Sequence, residues 1–165
     1  MRFFIPDFVH ARVTLSRTGN AFQLAGGPAM SDFPLKGGCF CGAVRYEVSG
    51  YESCAHCHCR MCQKAAGSPV VTWVMIVGDH FRIVEGALKI RKSSDIAERG
   101  FCEECGTQIT FQYEKEKGKS IDVTAASLDD PEAVEPASQI WTASRPSWMH
   151  GFDATLPEEE DPNAG

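Results

Sequence analysis

The stretch Cys57-His58-Cys59-Arg60-Met61-Cys62-Gln63 decides how the rest of the chain is read. Three cysteines within six residues are too dense for a packed core or for disulfides to distant loops. A thiolate is both a soft metal ligand and a nucleophile, so the cluster points to zinc, iron or redox chemistry. Outward from it, Cys39-x-Cys41 lies upstream and Cys102-x-x-Cys105 downstream. The two outer pairs together make one complete four-cysteine site, which leaves the central three as a second site one ligand short. Structural zinc is four-coordinate and closed, whereas catalytic zinc keeps a position open for water or substrate. That partition is the main functional clue in the chain.

The bulk properties set the frame for it. At 165 residues, with 43% hydrophobic and 23% charged residues, the chain is long enough to bury a core and has an ordinary globular composition. Nothing approaches the run of roughly 18 apolar residues that a membrane span requires. Pro6 and Asp7 break the only apolar run of the N-terminus, so it does not read as a secretory signal. A reducing, cytoplasmic setting is expected, and eight cysteines there point to metal ligation and not to disulfides. The formal net charge of −6 is uneven, because Asp153, Glu158, Glu159, Glu160 and Asp161 crowd the C-terminal end. No block of Lys and Arg offers the basic face that nucleic acid needs. DNA, RNA and membrane are therefore not expected partners.

Residues 1–30 lack cysteine and periodicity and end in the breaker Gly26-Gly27-Pro28-Ala29. Two readings stand: a poorly packed N-terminal arm with a faint transit-peptide composition, or an over-extended start with Met30 as the natural beginning. A zinc-binding β domain is expected over 31–152 and an acidic flexible tail over 153–165. Within the domain, Ala43-Val-Arg-Tyr-Glu-Val48 alternates as a half-buried strand does, and Val70 to Val77 reads as a central strand. Phe81 to Val84 and Ala87 to Ile90 read as strands joined by a hairpin turn at Glu85-Gly86. Gln108–Tyr113, Ser120–Thr124 and Gln139–Thr142 read as further strands, with a solvated turn over 115–119. Helix signals are weak, apart from a short turn opened by Asp130-Pro131-Glu132. The expected fold is mainly β, in short antiparallel strands, with metal sites at the loops.

The outer pairs read as a structural site. Glycines beside Cys39-x-Cys41 let backbone amides approach the sulfurs, and Cys102-Glu-Glu-Cys105-Gly106 is a zinc-knuckle turn. A metal of this kind contributes on the order of 10 kcal/mol to folding in small zinc peptides. At the central triplet, three thiolates around a zinc ion carry net charge −1, which makes it a poor activator of water beside a three-histidine site. A substrate thiol suits the vacant position better, so the expected chemistry forms or breaks a C–S bond at a small electrophile. Other readings stay open: Cys54, His56 or His58 as a fourth ligand of a closed site, or disulfide redox chemistry. His10, His80 and His150 read as ordinary isolated histidines. Gln63 to Pro69 is either a substrate-covering loop, with Lys64 attracting a carboxylate, or a plain connection. Arg91, Lys92, Arg99 and Arg145 are candidates for an anionic peptide-like substrate, with solvated surface as the default.

Gly37-Gly-Cys-Phe-Cys-Gly-Ala-Val-Arg-Tyr46, Cys57-His-Cys-Arg-Met-Cys-Gln-Lys-Ala-Ala-Gly-Ser68 and Arg99-Gly-Phe-Cys-Glu-Glu-Cys-Gly-Thr107 occur in this order. Together they resemble the glutathione-dependent formaldehyde-activating enzyme family, which includes the centromere protein V group. The likeness spans roughly Ser31 to Pro157, including Ile140-Trp141 and Arg145-Pro-Ser-Trp148. The resemblance implies a zinc-containing β-tent fold with two zinc ions. Cys39, Cys41, Cys102 and Cys105 would hold the structural one, Cys57, Cys59 and Cys62 the catalytic one, and Cys54 neither. It further implies that glutathione and formaldehyde are joined into S-hydroxymethylglutathione, a carbon–sulfur lyase reaction when written in reverse. Two readings follow: a carbon–sulfur lyase-type enzyme acting on a thiol–aldehyde adduct, or a zinc-stabilised thiol- or glutathione-binding module without turnover. A methionine-sulfoxide reductase of the related β-tent group is disfavoured, because only Cys54 is left once the seven ligands are set aside.

Overall fold

Few stretches of the chain are as uniformly apolar and β-branched as Val71–Val77, and the computed structural model, which describes residues 33–149, shows why. This strand has two buried faces. Val74 and Ile76 point into the main core, while Val71 and Trp73 point to the opposite side, where they pack with Cys57 and Cys62. A strand covered on both faces needs no polar alternation. The expected N-terminal extension (1–30) and acidic tail (153–165) lie outside the described residues.

In chain order the strands are β1 (Leu35–Gly38), β2 (Arg45–Val48), β3 (Ser53–Cys57), β4 (Val71–Val77), β5 (Phe81–Glu85), β6 (Lys89–Ser94), β7 (Ala97–Phe101), β8 (Gln108–Tyr113), β9 (Ser120–Thr124) and β10 (Ser138–Ile140). One helix, α1 (Arg60–Ala66), sits between β3 and β4. The mainly β expectation holds. A three-stranded sheet runs β1-β2-β5, and a seven-stranded sheet runs β10-β3-β4-β9-β8-β7-β6. All pairings are antiparallel except β10 with β3, which is parallel and sets Ile140 opposite Cys57. The main core joins the sheets through Tyr46, Val48, Val74, Ile76, Ile109, Val123 and Leu128. No helix among the described residues is long and apolar enough to cross a membrane.

Three expectations need correction. Glu85-Gly86 does not close a hairpin: β5 pairs with β2 in the small sheet, and the next strand, β6, pairs with β7 in the large one. The glycine instead lets the chain cross from one sheet to the other against the Ala43 carbonyl. β6 runs on to Ser94 and forms the true hairpin with β7, whose polar sequence Ala-Glu-Arg-Gly-Phe hid its strand character. The segment after the triplet is helical and not a loop, capped by Cys59 at its start and Gly67 at its end.

Gly86 has φ +70°, and a β-carbon there would lie 2.0 Å from the Ala43 carbonyl oxygen. Gly118 has φ +75° with open space around it. Gly118→Ala is therefore expected to cost only the left-handed backbone penalty of about 1 kcal/mol. Gly86→Ala adds a clash with backbone and should cost more than about 3 kcal/mol. Urea denaturation of the two variants checks the order; equal midpoints would show that the crossover is not tightly packed.

Candidate metal centres

The outer cysteines meet where the two sheets join. Cys39 opens the turn after β1; its N–H donates to the Val44 carbonyl at 3.0 Å, and its sulfur accepts from the Val44 N–H at 3.2 Å. Cys102 follows β7, and the Gly106 N–H returns to its carbonyl at 2.9 Å, closing the knuckle turn. The Cys39 and Cys41 sulfurs are 3.5 Å apart, those of Cys41 and Cys102 are 3.8 Å apart, and all four cysteines lie within 4.8 Å of one another. A disulfide needs about 2.05 Å, whereas thiolates at 2.3 Å from one zinc ion have sulfur–sulfur edges of about 3.8 Å. The donor set fits a tetrahedral ion. Thr107 buttresses it, accepting from the Phe40 N–H at 3.1 Å and contacting the Cys105 sulfur at 3.2 Å. Hydrogen bonds from the Thr107 hydroxyl, then from the Thr107 and Cys41 backbone, draw Cys105 down to about 5.

The triplet lies on the other face of the large sheet. Cys57 ends β3; Cys59 caps α1, its sulfur accepting from the Cys62 N–H at 3.3 Å; Cys62 lies in the first turn. The three sulfurs are also within 4.8 Å of one another, and no fourth His, Cys, Asp or Glu joins them among the described residues. Hydrogen bonds from the Cys57 and Cys59 thiols, aided by Arg99, hold Cys62 far below the ordinary thiol range, at about 2. Cys57 is pushed strongly up by the neighbouring Cys59 and Cys62 sulfurs. Protons shared this way among three sulfurs mark the positions where a thiophilic cation would replace them.

The sequence profile of the glutathione-dependent formaldehyde-activating enzyme family matches residues 34–144. The chain belongs to this family. No curated protein matches it. Its fold is similar to that of a Rhodobacter sphaeroides protein of known crystal structure, at 24% identity and a TM-score of 0.51, covering 64% of this chain and 99% of that one.

For this formaldehyde-activating family member the remaining candidates sort themselves by position. Cys54 points into the main core, 2% exposed, with burial pushing its thiol up to about 11. His56 is engaged through Nδ1 with the Thr72 hydroxyl at 2.8 Å, and His58 through Nε2 with the Gln139 side-chain oxygen at 3.0 Å. Neither histidine belongs to the sulfur group. His80 is an ordinary surface residue bonded to the Ser49 hydroxyl, while His10 and His150 lie outside the described residues. Of the candidate cations, Arg99 reaches the triplet, its Nη2 lying 3.4 Å from the Cys62 sulfur. Lys64 is exposed on α1, Arg91 is exposed on β6 opposite Arg99, Lys92 pairs with Glu114, and Arg145 donates to Gln139. Gln63, in the segment expected to be a substrate-covering loop or a plain connection, is buried and ties the centre together by donating to the His58 carbonyl at 2.7 Å and the Ser144 carbonyl at 3.1 Å.

Sequence reasoning named Arg99 among its candidate cations but missed the other sheet residues facing the triplet. Arg99, Phe111, Asp122 and Met75 stand opposite one another across β7, β8, β9 and β4, and directly paired residues share a face. Burial first, then the Cys62 thiolate, pushes the Asp122 carboxyl up to about 7. The available signal was an acid in mid-strand between Ile121 and Val123, whose side chains belong to the core side.

Two outcomes follow. Cys54→Ala should leave metal per chain unchanged, by elemental analysis, while costing about 1 kcal/mol of packing; loss of an ion would place Cys54 in a site after all. Because the folded carboxyl of Asp122 binds its proton more tightly than the unfolded one, its contribution is fully present below pH 3.8 and is lost as pH rises to about 7. Asp122→Asn should thus stabilise the protein by on the order of 2 kcal/mol at pH 8 and not at pH 3.5, as read from denaturant midpoints. Equal midpoints at pH 8 would show that the carboxylate is well solvated.

Proposed function

We propose that the protein is a zinc-dependent carbon–sulfur lyase-type enzyme that joins a small thiol, glutathione in the family reaction, to a small aldehyde such as formaldehyde. One observation carries this reading: seven cysteines divide into a group of four that can close around an ion and a group of three that cannot. Cys39, Cys41, Cys102 and Cys105 are assigned a structural zinc ion. Cys57, Cys59 and Cys62 are assigned the catalytic one, which when bound supplies a Lewis-acidic, thiol-seeking centre with one position free. In the net reaction the thiol S–H bond breaks, a C–S bond forms at the carbonyl carbon, and the carbonyl oxygen ends as a hydroxyl.

The chain's own groups supply the rest. Trp73 and Phe111 exclude water from the triplet face, with ring centroids 5.9 Å apart. The Asp122 carboxyl, on that same face, is assigned to give its proton to the carbonyl oxygen as the C–S bond forms, because burial favours its protonated form. It is reprotonated from solvent, which takes up the proton the thiol loses. All eight thiols are free, which fits a reducing compartment such as the cytoplasm.

The test compares zinc content, thermal stability and glutathione-dependent consumption of formaldehyde in wild type and Cys59→Ser. Two zinc ions per chain are expected in wild type and one in the variant, with the fold retained and turnover lowered by about 100-fold or more. A single zinc in wild type, or unfolding of Cys59→Ser, would contradict the partition. Full zinc with no turnover of any thiol–aldehyde pair would make the protein a thiol-binding module.

A further inference from the structure

Arg99 is an unusual residue to find inside a sheet. It is 7% exposed, and its guanidinium carbon lies 4.8 Å from the Phe111 ring centroid and 6.0 Å from that of Trp73. Two aromatic faces stabilise a cation without supplying hydrogen-bond acceptors in the plane of its five N–H groups. The six ion pairs among the described residues do not include it. Its one polar contact in the structure is Nη2 to the Cys62 sulfur at 3.4 Å, and Nη1 is buried with no hydrogen-bond partner among the described residues. Buried donors are nearly always paired, so an unpaired one beside a functional centre points to a missing acceptor.

The fork geometry says where that acceptor sits. The two terminal nitrogens of a guanidinium point side by side in one plane, so an acceptor on Nη1 lies next to the acceptor on Nη2. The acceptor on Nη2 is already one of the three triplet sulfurs. The position beside it is where a fourth sulfur would join the group. We propose that Arg99 binds the thiol substrate at its sulfur, as the thiolate, holding it on Nη1 beside Cys62. The proposal rests on the thiol-using reading of the triplet and names the residue that selects an anionic sulfur there. The thiol proton passes to solvent on binding, and the guanidinium charge offsets the anion. The sequence offers Arg99 as one candidate for an anionic peptide-like substrate, with solvated surface as the default; the contact with Cys62 and the apolar flanks assign it to sulfur instead.

The experiment is calorimetric titration of the zinc-loaded protein with glutathione and, separately, with S-methylglutathione, which keeps both carboxylates and cannot form a thiolate. Wild type, Arg99→Met and Arg99→Lys are compared, with zinc per chain measured on the same samples. Methionine matches the apolar slot between Phe111 and Trp73, and lysine keeps the charge without the fork, so either variant carries the comparison if the other fails to fold. Loss of a charge-assisted hydrogen bond predicts glutathione binding weaker by about 10- to 100-fold in Arg99→Met, with zinc content unchanged. Arg99→Lys should fall between, and S-methylglutathione should bind all three proteins equally. Glutathione binding within twofold of wild type in both variants would overturn the proposal and leave the thiol-using reading intact. An equal loss with S-methylglutathione would assign Arg99 to a carboxylate, and loss of a zinc ion would make it a support for Cys62 alone; either overturns the sulfur assignment. Wild type that is fully zinc-loaded yet binds no glutathione would remove the thiol-using reading, and Arg99's role with it.

Discussion

The fold depends on β4 being buried on both sides. Its Val74 and Ile76 complete the core that joins the two sheets, and its Val71 and Trp73 form the floor beneath the cysteine triplet. The neighbours of β4 inherit that division. On β3, Cys54 and Cys57 are three residues apart and so face opposite ways, one into the core and one into the triplet. On β9, Val123 joins the core while Asp122 stands on the triplet side. Core packing and site geometry are thus set by the same strands, and a shift of one residue in register would move thiol and carboxyl into the core.

The two cysteine groups differ in how the chain holds them. The four outer cysteines sit in turns that belong to different sheets, so an ion there would fasten the turn after β1 to the turn after β7 and act on the whole domain. The triplet is held locally. Cys59 caps the helix that carries Cys62, Gln63 ties that helix to the His58 and Ser144 carbonyls, and the His58 N–H donates to Ile140 at 3.0 Å. Trp141, next in the chain, takes a left-handed backbone with φ +58°, a strain that a non-glycine residue accepts only where surrounding contacts enforce it. The segment 138–149 therefore belongs structurally to the triplet although it is distant in sequence.

Much of this was legible in the sequence, for identifiable reasons. Cysteine spacing is a strong signal because few other constraints produce it, and the structure gathers the cysteines into the same two groups. Gln108–Tyr113 and Ser120–Thr124 were found to the residue, since their alternation or β-branching matches burial. β3 was not found: Ser-Cys-Ala-His-Cys has no β-branched residue, and its extended form comes from pairing with β4 and β10. β6 and β7 were blurred because their polar residues read as loop, and α1 because the cysteine motif masked its helical character. Asp122 and the position of Arg99 were invisible for another reason. Their meaning lies in cross-strand register between β7, β8 and β9, which no local pattern encodes.

Charge balance explains why an arginine and a proton-binding carboxyl share this face. Three thiolates around a divalent ion would leave one negative charge, which Arg99 at Cys62 would cancel. In the proposed reaction a substrate thiolate would bring the centre back to a single negative charge, which a low-dielectric pocket tolerates far better than two. An ionised carboxylate on the same face would restore the second charge, and burial, which pushes the Asp122 carboxyl up, disfavours that form. A carboxyl held neutral in this way can also give its proton to an oxygen that gains negative charge during the reaction, and do so without leaving the face it shares with Phe111 and Arg99. The burial that makes Asp122 costly to ionise is therefore the property that would let it act.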